Sequence, residues 1–102
     1  AALRVERDRG KPLADTIAFT LGGGTAQLTV HNHGVTAMEV RFNGGQVLTL
    51  STKRSTGRDT YRIALEGDTT IDVSRYVREG ANAMAVRPLG APGRFAILAV
   101  FD

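Results

Sequence analysis

Apolar and polar residues alternate one by one through short runs of this chain, and that period of two constrains the fold more than any other feature. In Ala26–Val30, Ala26, Leu28 and Val30 fall on one side and Gln27 and Thr29 on the other. Met38–Phe42 repeats the pattern, with Met38, Val40 and Phe42 opposed to Glu39 and Arg41. Successive side chains of a strand point to opposite faces, so each run reads as a half-buried strand. Leu3–Arg7, Ile17–Leu21, Gln46–Ser51, Tyr61–Leu65, Ala83–Arg87 and Phe95–Phe101 complete a set of eight. Between them lie Gly22-Gly23-Gly24, Asn32-His33-Gly34, Asn43-Gly44-Gly45, Glu66-Gly67-Asp68 and the segment Pro88 to Gly93. Short strands separated by turns at this spacing predict an all-β, antiparallel β-sandwich.

Asn43-Gly44 is the strongest turn signal, because both residues tolerate the positive φ of a tight hairpin. It pairs Met38–Phe42 with Gln46–Leu50. The segment Thr52 to Thr60 carries no apolar residue and is expected to be an exposed, mobile loop. Val73, Tyr76 and Val77 stand at helical spacing, which predicts one short helical turn near 73–79, with Asp72 or Ser74 to cap it and Gly80 to end it.

A chain of 102 residues is enough for one domain. The reading divides it into an N-terminal strand on an arm (1–16), with a polar link at Asp8–Pro12, and a sandwich (17–102). No cysteine is present, which excludes disulfides, thiolate metal sites and a cysteine nucleophile. Thirteen basic residues against ten acidic ones leave a charge of +3, with the signs interspersed. That describes a solvated surface and not a phosphate-tracking stripe, so no nucleic-acid partner is expected. No run is long and apolar enough for membrane insertion as a helix. The opening Ala1-Ala2-Leu3, without a methionine, fits removal of a secretory signal, and an extracellular or cell-surface location is expected.

The run Ile71-Asp72-Val73-Ser74-Arg75-Tyr76-Val77-Arg78-Glu79-Gly80-Ala81-Asn82 resembles a motif of galactose-binding-like jelly-roll domains. Val40-Arg41-Phe42-Asn43-Gly44 followed by Gln46-Val47 resembles the strand–turn–strand unit of the same group, and the whole resembles small secreted bacterial cell-surface modules. The resemblance implies a jelly-roll-like sandwich in which Tyr76 and Val77 plug one end and Asn82 fixes the start of a strand. It covers roughly residues 17 to 101 and does not choose among sugar binders, accessory domains and structural modules.

Candidate sites are few. His31 and His33 stand at i and i+2, so on a strand they share a face and form a candidate metal pair, although a stable site needs further ligands. The plainer reading ends a strand at His31 and turns through Asn32-His33-Gly34. Glu66, Asp68 and Asp72 are near one another, and jelly rolls of the resembled group often carry a structural calcium. The segment lacks the dense Asp/Asn spacing of a dedicated calcium loop, and no cofactor is expected. Lys53, Arg54, Arg58 and Tyr61 are candidate contacts to a polyanion or glycan. No serine or histidine has a nucleophile or base setting, so no enzyme is expected.

Phe95–Phe101 is apolar on both faces, which predicts that its outer face is covered by Leu3–Arg7, by a long loop or by a second subunit. Leu3, Val5, Phe95, Ile97, Leu98, Val100 and Phe101 form the candidate assembly interface, with the N-terminal strand able to pair within or between subunits. The chain is therefore expected to be an exported, non-catalytic building block of a fibre, coat or surface layer, with itself or another surface protein as partner. A carbohydrate-binding module at the cell surface, with polysaccharide as partner, is the alternative.

Overall fold

The alternating runs pair into two sheets. The computed structural model describes residues 1–7, 15–54, 57–89 and 93–102. Nine strands follow in order: β1 (Ala2–Arg7), β2 (Asp15–Leu21), β3 (Gln27–His33), β4 (Ala37–Phe42), β5 (Val47–Ser51), β6 (Thr60–Arg62), β7 (Glu66–Asp72), β8 (Gly80–Leu89) and β9 (Arg94–Phe101). One sheet has the order β1-β9-β3-β7 and the other β2-β8-β4-β5-β6. β1 pairs antiparallel with β9, β2 with β8, β3 with β7 and β4 with β5, so the chain is a set of nested hairpins rolled into two layers. That is the winding of a jelly roll. Among the described strands only β5 and β6 pair in parallel.

The inward positions of every alternating run meet between the sheets. Val5, Leu28, Val30 and Leu98 from one layer pack toward Met38, Val40, Leu48, Leu50, Met84 and Val86 of the other, and all ten are inaccessible to solvent. Each such side chain contributes about 1.5–3 kcal/mol by leaving water. Phe19 meets Phe42 edge to face, with ring centroids 6.3 Å apart.

The expected hairpin forms at Asn43-Gly44. Both residues have positive φ, 56° and 69°, and Gly45 N–H donates to Phe42 O at 2.9 Å to close the turn. Asn43 also ties the turn to β8: its Oδ1 accepts from Ala83 N–H, and its Nδ2 donates to Asn82 Oδ1. Asn82 is itself buried and donates to the carbonyls of Arg78 and Gly80. It thus fixes the start of β8.

The short helical turn expected near 73–79 forms as a single 3-10 turn, Ser74–Tyr76, while Gly80 opens β8 with φ +90° instead of ending it. Asp72 Oδ1 accepts from Ser74 N–H at 2.9 Å, and the Ser74 hydroxyl and N–H together hold this carboxyl below its ordinary range. Glu66-Gly67-Asp68 is not a turn but the start of β7, while the strand expected at Tyr61–Leu65 shrinks to Thr60–Arg62. β8 runs on through Pro88, which the sequence placed in a turn segment, and Pro88 stands opposite Met38 of β4. The expected Asp8–Pro12 link lies outside the described residues, as do Ser55, Thr56 and Gly90–Pro92 of the expected loops. No helix among the described residues is long and apolar enough to cross a membrane.

Candidate functional site

β9 lies inside its sheet, between β1 and β3. β1 therefore lies beside the apolar strand and not over it, which removes Leu3–Arg7 from the three covers expected for its outer face and leaves a loop or a second subunit. Val5 and Leu98 are fully buried, Val100 nearly so, and Leu3 packs against the core. These four candidate interface residues are core positions. Phe95, Ile97 and Phe101 point the other way, and Phe101 is 47% exposed.

The register sets the outward side chains in cross-strand rows. Arg4, Ile97, His31 and Asp68 form one row, and Phe95, His33 and Glu66 the row above it. Below, Ala2, Ala99, Thr29 and Thr70 make a flat neutral row, and Phe101, Gln27 and Asp72 follow. An apolar stripe thus runs along β9, with basic Arg4 on one flank and acidic β7 on the other. The Arg4 guanidinium lies 4.4 Å from the Phe95 ring centroid, and the His33 ring stacks on Phe95 at 4.5 Å. These neighbours leave Phe95 and Ile97 half-buried.

The two histidines share this face because β3 continues to His33. Asn32, between them, turns inward and is fully buried: its Oδ1 accepts from Val35 N–H, and its Nδ2 donates to the carbonyls of Val35 and Ala64. Asn32-His33 is thus strand and not the expected turn. His31 Nδ1 donates to Asp68 Oδ1, and His33 Nδ1 faces Glu66 Oε2 at 3.4 Å. The two Nε2 atoms lie 2.9 Å apart. Each carboxylate of the calcium candidate is spent separately: Glu66 and Asp68 on the histidines, Asp72 on Ser74. They stand two and four residues apart along one exposed edge and do not converge. Among the described residues no group of three His, Cys, Asp or Glu side chains is placed to hold a metal ion.

The polyanion candidates lie elsewhere. Lys53, Arg54 and Arg58 are exposed, but the Tyr61 hydroxyl is committed to that of Tyr76, 2.9 Å away. Asp59, in the loop expected to be wholly exposed, is buried and has a left-handed backbone, φ 61°. Its carboxylate accepts from the Tyr76 hydroxyl and from Gln46 Nε2, and Arg75 Nη1 lies 3.7 Å away. Its carbonyl accepts from Thr49 N–H at 2.8 Å. Burial, then the hydrogen bonds to Asp59 and Tyr61, push the Tyr76 hydroxyl well above its ordinary value. This cluster pins the loop to the hairpin end beneath a recess of about 290 Å³ lined by Phe42, Asn43, Gly45, Gln46, Arg75 and Tyr76. Sequence reasoning missed it, because one aspartate in a uniformly polar loop carries no signal of burial.

No family model, no curated protein and no solved structure matches this chain.

Proposed function

We propose that this protein is a non-catalytic, exported building block that associates with copies of itself through the outer face of the β1-β9-β3-β7 sheet. The observation that carries the reading is the apolar stripe Phe95, Ile97, Ala99 and Phe101 at the centre of that face. A second copy is the partner proposed, because a two-fold axis parallel to β9 lays the same apolar stripe of two copies face to face. Export and a cell-surface setting rest on the resemblance to secreted modules.

The carbohydrate alternative has less behind it. The Tyr76 ring at the recess by the hairpin end already packs on Phe42 and under Arg75, and Phe95 is held between Arg4 and His33. Light scattering over a wide concentration range tests the proposal. A mass rising above the 10.9 kDa of one chain is expected. A constant single-chain mass contradicts it, and a monomer whose melting temperature rises with an added glycan favours the alternative.

A further inference from the structure

We propose that His31 and His33 together bind one divalent ion of the copper or nickel type through their Nε2 atoms. The inference does not depend on the self-association reading. It starts from the tautomers. An ionised carboxylate only accepts, so Asp68 fixes the His31 proton on Nδ1, and Glu66 faces the corresponding atom of His33. With its proton on Nδ1, His31 presents Nε2 as a bare lone pair, the form in which imidazole ligates metals. Glu66 stands where it can receive the Nδ1 proton of the same tautomer of His33. At 2.9 Å the two Nε2 atoms share a hydrogen, which His33 supplies in its Nε2–H tautomer. A divalent ion takes the place of that hydrogen once the His33 proton moves to Nδ1, beside Glu66.

The spacing selects the geometry. With metal–nitrogen bonds of about 2.0–2.1 Å, two donors at a right angle stand about 2.9 Å apart, and at the tetrahedral angle about 3.3–3.4 Å. The 2.9 Å of the present hydrogen bond is also the spacing of two adjacent donors on tetragonal copper(II) or nickel(II), so these ions need the least movement of the rings. The rings are held in place: β3 is paired on both sides, by β7 and β9, and His33 is stacked on Phe95. With two protein donors, water or an external ligand completes the coordination.

Titration of the full chain with copper(II), followed by calorimetry and electron paramagnetic resonance, tests the site. The expected spectrum is tetragonal, with coupling to two imidazole nitrogens, at no more than one ion per chain. His33→Gln should weaken binding at least tenfold, and Asp68→Asn, which keeps both donors, by about tenfold or more. Equal titration of the wild type and the His31→Gln/His33→Gln double variant would overturn the proposal. So would a wild-type spectrum without imidazole coupling, a reading that needs no variant to fold; a shared proton would then be the only occupant.

Discussion

Ile97 and Leu98 are neighbours on β9 and point to opposite sides of the sheet: Leu98 is fully buried between the layers, while Ile97 stands opposite His31 on the outer face. A carboxylate should therefore act very differently at the two positions. Leu98→Asp places an unpaired charge in the core and is expected to cost about 4 kcal/mol or more. Ile97→Asp should cost no more than about 1 kcal/mol. Urea unfolding of the two variants checks this, and equal midpoints would contradict the assignment of faces.

Asn32→Ala removes a side chain that satisfies Val35 N–H and donates to two carbonyls. The groups left unpaired should cost about 2–4 kcal/mol in a denaturant series. A loss below about 1 kcal/mol would mean that the connection from β3 to β4 does not rely on it.

Tyr76 predicts alkaline sensitivity. Its hydroxyl keeps its proton in the folded state above the ordinary tyrosine value of about 10. Between the unfolded and folded values the native state binds more protons, so stability is full below about pH 10 and falls as pH rises further. Tyr76→Phe should start less stable and lose less between pH 9 and pH 11, as read by melting temperature. Parallel pH profiles for the two proteins would contradict this.

Gly34 has φ +87°, and a methyl group there would meet Arg94 Cδ at 2.6 Å. Gly34→Ala is expected to destabilise by about 1–3 kcal/mol. Adding Arg94→Ala should recover only the contact share, since the backbone strain remains. Full rescue in thermal melts would assign the whole effect to the contact.

The sequence was legible where apolar residues marked each second position. Leu28, Val30, Met38, Val40 and Leu98 announced their faces, and Asn43-Gly44 announced the hairpin. β7 went unread because its outward positions are Glu66, Asp68, Thr70 and Asp72, and of its inward ones only Ile71 is a large apolar residue. Asn32 was legible in principle: one more step of the alternation from Leu28 and Val30 turns it inward and sends both histidines out. A buried asparagine simply does not look like a core residue until its three hydrogen bonds are visible. The pairing of β1 beside β9 depends on which strands become neighbours, and alternation within single strands carries no information about that.

Sedimentation velocity of the wild type, Ile97→Asp and Ala18→Asp over a common concentration series tests the central claim most directly. Ala18 is exposed on the outer face of the other sheet, so its variant serves as the control. The account predicts that the wild type and Ala18→Asp associate with rising concentration while Ile97→Asp stays a folded monomer. Association of Ile97→Asp equal to that of the wild type, or loss of association in Ala18→Asp alone, would contradict it.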